Sequence, residues 1–119
     1  MINISIIVPV FEGDEFIDSF FSFFKSKPLP EDFELIIFDN GSKESFYNKL
    51  VLCGRKIKNC KIVRYTQKQS SYAARNFGFS KSKGKILAFT DFDCIITEKY
   101  IDVLTNFPIS ESNLISGKI

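Results

Sequence analysis

Apolar residues fall along this chain in two alternating rhythms. Runs rich in β-branched and aromatic residues at positions 4–8, 33–38, 61–65 and 85–90 read as strands. The first, second and fourth are nearly continuous in apolar character, as expected for parallel strands covered on both faces. Between the runs the spacing lengthens. Phe16, Ile17, Phe20, Phe21 and Phe24 recur on one helix face, with Asp14 placed to cap it and Pro28 and Pro30 to end it. Ser42 is expected to cap a second helix running to about residue 55, with Phe46, Leu50 and Val51 inward. A third helix is predicted over about 70–82, with Ala73, Ala74 and Phe77 on its packed face. A fourth begins near Thr97, ahead of Tyr100, Ile101 and Leu104, and a further strand is expected at 113–117.

Strict strand–helix alternation with short connections predicts an α/β fold, a Rossmann-like parallel sheet flanked by helices. At 119 residues the whole chain, 1–119, reads as a single domain or part of one. The order stops just after the last expected strand. The expectation is therefore the first half of a larger domain, with an open sheet edge through which self-association is plausible. A net charge of +2, without a basic stripe, argues against nucleic acid as a partner. The absence of His removes the commonest general base and zinc ligand, leaving carboxylates, Lys, Arg, Tyr and thiols for any chemistry. Three Cys without a CxxC pair argue against a disulfide scaffold and for a reducing, cytoplasmic compartment. The first apolar run is short, is interrupted by Pro9 and lacks a basic leader, so it reads as neither signal peptide nor membrane span.

The chemistry collects at strand ends. In an open α/β sheet, ligands bind beyond the carboxyl ends of the strands. The first strand ends in Pro9-Val10-Phe11-Glu12, the second in Asp39-Asn40-Gly41-Ser42, and the fourth in Thr90-Asp91-Phe92-Asp93. Loops favour such residues anyway. Two carboxylates one residue apart where a buried strand emerges are nevertheless unusual, because ionised Asp is costly to bury. Hard oxygen donors in that place suit Mg²⁺ or Mn²⁺ carrying a phosphorylated ligand.

Four segments in order carry a family resemblance: Ile6-Ile7-Val8-Pro9-Val10-Phe11, Leu35-Ile36-Ile37-Phe38-Asp39-Asn40-Gly41-Ser42, Ala74-Arg75-Asn76-Phe77-Gly78, and Gly84-Lys85-Ile86-Leu87-Ala88-Phe89-Thr90-Asp91-Phe92-Asp93. Together they resemble family 2 glycosyltransferases across essentially the whole chain. The resemblance implies a GT-A fold and a nucleotide-diphospho-sugar donor, with UDP favoured. It also implies Mn²⁺ or Mg²⁺ as cofactor and transfer of the sugar, with inversion, to an acceptor glycan or lipid, so that membrane association through the acceptor is possible.

It further implies roles residue by residue. Asp39 would accept the N3–H of uracil, and Asp93 would hold the metal that bridges the two phosphates. Asp91 would contact ribose or a metal-bound water. Phe11, where the family often has Tyr, keeps a flat face for the base. Pro9 fixes the backbone leaving the first strand, and Glu12 either receives the ribose or holds its loop. Arg75 is suited to clamping diphosphate oxygens, with Lys68 and Lys81 as further charge. Gly41 and Ser42 are read as a turn and a helix cap, and Cys94 as a small buried residue. Asn40 stands where the family commonly has a second Asp, which bears on base identity. The acids after Asp93, namely Glu98, Asp102 and Glu111, have no reason to face the site. The general base is thus expected beyond Ile119, and the chain reads as a donor-binding half. A non-catalytic nucleotide-binding module, or a fragment completed by a partner, is the alternative. The DxD loop is also similar to the nucleophile loop of haloacid-dehalogenase-like phosphatases, but Cys94 and Ile95 supply neither the Gly nor the Thr of that motif.

Overall fold

The computed structural model describes residues 1–65, 70, 76 and 80–107, together with the backbone of 113–116. Strands β1 (Ile4–Val10), β2 (Phe33–Asn40), β3 (Cys60–Tyr65), β4 (Ile86–Phe89) and β5 (Asn113–Ser116) form one sheet in the order β3-β2-β1-β4-β5. Every pairing is parallel. The described helices are α1 (Ile17–Ser26), α2 (Glu44–Gly54) and α3 (Glu98–Thr105). The expected α/β parallel architecture is the one observed, with β1 and β2 running on to Val10 and Asn40. The helix predicted over about 70–82 lies largely outside the described residues.

Alternate strand residues point to opposite faces. Ile4, Ile6, Val8 and Val10 of β1 join Phe33, Leu35 and Ile37 of β2 in the larger core, where Phe20, Phe46 and Leu104 dock from the three helices. Ile7, Ile36, Leu87 and Phe89 form a smaller cluster on the other face, with Val63 against it. Burial on both faces explains why these strands read as continuous apolar runs.

Two expected helix caps are taken by tertiary partners instead. Asp14 accepts Lys49 Nζ at 2.9 Å, and α1 begins after Phe16 with no side-chain cap bond. Ser42 is not the cap of α2, which starts at Glu44; its hydroxyl accepts the Glu12 N–H at 2.8 Å. Thr97 does cap α3, accepting the Tyr100 N–H at 3.2 Å.

At the amino ends of the strands lies a buried polar network. Ser5 and Glu34 are paired across β1 and β2 and almost wholly buried. Ser5 Oγ donates to Glu34 Oε2 at 2.6 Å, and the same carboxylate oxygen accepts the Lys83 N–H at 2.6 Å. Gly84 N–H in turn donates to Ser5 Oγ at 2.8 Å. Buried polar groups are retained when they are bonded, and these bonds fix where β4 starts. A Cβ on Gly84 would come within 2.6 Å of the Ser5 backbone N, so only glycine lets the two segments approach. Gly84→Ala is expected to cost about 1–3 kcal/mol by overpacking against backbone. Urea denaturation would show this as a lower midpoint, and an unchanged midpoint would contradict it.

Candidate functional site

The chain leaves β1, runs outward through β2 and β3, and returns to β4 on the far side of β1. The strand order therefore reverses between β1 and β4, the place where open α/β sheets form their ligand crevice. Pro9 belongs to that opening. The Ile7 carbonyl accepts the Thr90 N–H at 3.1 Å, so the polar groups of Ile7 face β4. Pro9, two residues on, faces the same side, but β4 has already ended at Phe89. A proline can sit in this central strand because the ladder bond it would break is one the diverging strands do not make.

Beyond this point lies a cleft of about 200 Å³ lined by Pro9, Phe11, Glu12, Gly13, Phe16, Phe92 and Asp93, with Val10 at its floor. The sequence expectations for Pro9, Phe11, Glu12 and Asp93 thus converge on one place. The ring of Phe11 is exposed. Glu12 holds the loop: its backbone takes a left-handed conformation at φ 51°, and its carboxylate accepts the Lys43 N–H at 3.1 Å, where α2 begins. A carboxylate at a helix N-terminus is favourably placed.

After β4, the chain turns through Asp91 to Cys94, closed by the Cys94 N–H donating to the Asp91 carbonyl at 3.1 Å. Phe92 turns inward and is buried in the larger core, whereas Asp93 is exposed and Asp91 half-buried. Ligand atoms of Asp91, Asp93 and Cys94 lie within 4.8 Å of one another. Cys94 is half-buried rather than buried, with its thiol 3.8 Å from Asp93 Oδ1. A pair of carboxylates at this spacing fits a hard divalent cation; a thiol does not.

Asp39, the last residue but one of β2, is fully buried. Its Oδ1 accepts the Ser42 N–H at 3.4 Å, and Gly41, at φ 85°, makes the turn between them. Its Oδ2 faces Arg64 Nε of β3 at 3.5 Å. Among the described residues neither of those two atoms has a hydrogen-bond partner, and the same holds for buried Thr90 Oγ1, beside Asp91, and for Tyr100 Oη of α3. An unmet buried polar group costs roughly 1–3 kcal/mol, and those of Asp39, Arg64 and Thr90 lie at the carboxyl ends of the strands.

Burial raises the Asp39 carboxyl above its ordinary value of 3.8; the bonds from Ser42 and the charge of Arg64 pull it partly back, and the charge of Glu12 adds a small upward push. Folded protein therefore keeps a proton that the unfolded chain has released above pH 3.8. Stability falls as pH rises through that window. Asp39→Asn, which cannot ionise, is expected to gain stability relative to the wild type between acid below pH 3.8 and neutrality. Paired urea titrations at the two ends of the range would check it, and a constant difference between the proteins would refute it.

Arg75, expected to clamp phosphates, lies outside the described residues, as does Lys68. Arg64 was not anticipated, because a lone Arg at a strand end looks like an ordinary solvated charge.

Residues 5–113 match the sequence profile of Glycosyl transferase family 2. Glycosyltransferase AglE of Haloferax volcanii is 32% identical over 100 residues, covering 83% of this chain and 33% of that protein. An uncharacterised glycosyltransferase of Rickettsia bellii is 32% identical over 87 residues, covering 71% of this chain and 12% of that protein. This chain thus spans about a third of the Haloferax protein's length, and less of the Rickettsia one. Among solved structures, S. aureus TarS 1-349 superposes with a TM-score of 0.74 at 19% identity, over 87% of this chain and 31% of that one. The same protein in complex with UDP gives 0.73 at 20% identity, over 87% and 31%. These likenesses show the GT-A type of fold expected from the sequence. With the profile running from β1 to β5 and relatives close to a third identical, this chain belongs to glycosyl transferase family 2.

Proposed function

We propose that the crevice between β1 and β4 binds a nucleotide-diphospho-sugar, a UDP-sugar in first place, with a divalent metal, for transfer of the sugar to an acceptor hydroxyl. The observation that carries this reading is the position of Asp91 and Asp93, two adjacent hard-oxygen donors at the topological switch point beside an exposed aromatic ring. A solved neighbour of the same fold has been seen with UDP, which supports uridine as the nucleoside.

Asp91 and Asp93 would hold Mn²⁺ or Mg²⁺, with Cys94 left out as too soft a donor. Such an ion, when bound, supplies positive charge against the departing nucleoside diphosphate. The chain's own groups bind and orient. Phe11 offers its face to the base, Asp39 accepts the imide proton, and Glu12 keeps the Phe11 loop in place through Lys43 and Ser42. Arg75 remains the proposed diphosphate clamp.

Activation of an acceptor hydroxyl calls for a carboxylate base. Glu98 pairs with Lys27, and Asp102 lies on α3, away from the cleft lining. We place the base, and with it the acceptor site, outside the described residues. Three free cysteines support a reducing, cytoplasmic setting. Titration calorimetry with UDP, with and without Mn²⁺, tests the donor site. Binding that strengthens with Mn²⁺ is expected; no uridine nucleotide bound with Mn²⁺ present would end this reading.

A further inference from the structure

Asp39 is the group at this edge to which the family resemblance gives a hydrogen bond to the base, yet it is not alone. Among the described residues its Oδ2 is a buried acceptor with no donor, and Arg64 Nε, 3.5 Å away, is a buried donor with no acceptor. The two atoms do not satisfy each other, although the opposite charges hold them side by side. Arg64 is also held from two further directions. Its guanidinium carbon sits 4.3 Å from the centre of the Tyr47 ring, and its Nη2 donates to the Ser42 carbonyl at 3.4 Å. Stacking on an aromatic face and a fork of fixed donors leave the guanidinium little freedom to turn.

A nucleobase that resolves both orphans at once must carry a donor and an acceptor on adjacent atoms of one edge. Uracil does so with N3–H beside a ring carbonyl. In the same pose cytosine presents the reverse, a ring nitrogen acceptor where uracil carries N3–H and an amino donor where uracil carries the carbonyl. We propose that Arg64 is a specificity-determining residue of the donor site, donating from its guanidinium to the carbonyl next to the imide N–H that Asp39 receives. The proposal rests on the donor-site reading above and adds a second contact to it. Asp39 is closed to solvent and Arg64 Nε is buried beside it, while the Arg64 side chain as a whole keeps 24% of its surface open. Two such contacts to one base edge discriminate where one does not, because the wrong base leaves both buried groups unpaired.

The test uses ligand changes on the wild-type protein, which carry no risk to folding. Calorimetry with Mn²⁺ would compare UDP with 2-thio-UDP and 4-thio-UDP, each replacing one carbonyl beside N3–H by a poor acceptor, and with CDP. One of the two thio analogues is expected to bind about tenfold more weakly than UDP, and CDP about tenfold to a hundredfold more weakly. In Arg64→Met, which keeps an unbranched side chain but removes the guanidinium, the penalty for that thio analogue is expected to disappear. Affinity ratios are insensitive to a partly unfolded sample, so a purely structural role for Arg64 would leave them unchanged. Both thio analogues binding wild type as tightly as UDP would overturn the proposal, as would a thio penalty that survives in Arg64→Met. Absence of any uridine nucleotide binding to wild type would instead bring down the donor-site reading itself.

Discussion

Phe92→Ala is expected to lose about 3–5 kcal/mol of folding stability and, with it, metal-dependent nucleotide binding. Phe92 stands between the two acidic residues, but its ring belongs to the core. It stacks on Phe20 at 4.7 Å between ring centres and meets Phe46 edge-on at 6.0 Å. Gly13 of the β1 loop lies so close that a Cβ there would come within 2.6 Å of the Phe92 ring. One side chain therefore ties the DxD turn to α1, α2 and the loop that carries Phe11. Aromatic pairs of this geometry add about 0.5–1.5 kcal/mol to the burial itself. The loss is large against the roughly 5–15 kcal/mol that holds a typical domain folded. Phe92→Leu, which refills most of the space, should fold and keep most of the Mn²⁺ effect. Urea denaturation and calorimetry on the two variants decide the matter. A loss under about 1 kcal/mol in Phe92→Ala would mean that the ring does not anchor the turn.

Asp93→Ala should behave in the opposite way. Asp93 is exposed, so its removal is expected to change stability by no more than about 0.5 kcal/mol. The strengthening of UDP binding by Mn²⁺ should fall by on the order of a hundredfold, because a metal at the phosphates is worth several kcal/mol. Cys94→Ser should leave that strengthening intact, since a thiol is not a ligand such an ion selects. Equal Mn²⁺ dependence in Asp93→Ala and wild type would remove Asp93 from the metal site. Together the two acid-turn variants separate the residue that builds the turn from the residue that uses it.

The sheet was legible because burial on both faces leaves an unambiguous mark, an unbroken apolar run. The same rule hid Ser5 and Glu34. Polar residues inside such runs look like interruptions, and the groups that satisfy them, Lys83 and Gly84, lie far along the chain. Asp14 and Ser42 failed as caps for a related reason: local capping competes with tertiary partners, and here Lys49 and the Glu12 amide won. Thr97, near which the fourth helix was expected to begin, does cap it through the Tyr100 N–H. Phe11, Glu12, Asp39, Asp91 and Asp93 could be singled out as candidates because strand ends and motif spacing drew the eye to them. Phe92 was passed over as the spacer within a motif. Arg64 was passed over because only the fold places β3 beside β2 and so brings it to Asp39.

A nucleotide and a metal are expected to share the crevice between β1 and β4. Crystals grown with UDP and Mn²⁺, with data collected for anomalous scattering from manganese, would test it most directly. A manganese peak is expected at coordination distance from the Asp93 carboxylate, with the uracil ring against Phe11 and within hydrogen-bonding reach of Asp39 and Arg64. Ordered UDP elsewhere on the molecule, or manganese away from both Asp91 and Asp93, would contradict it.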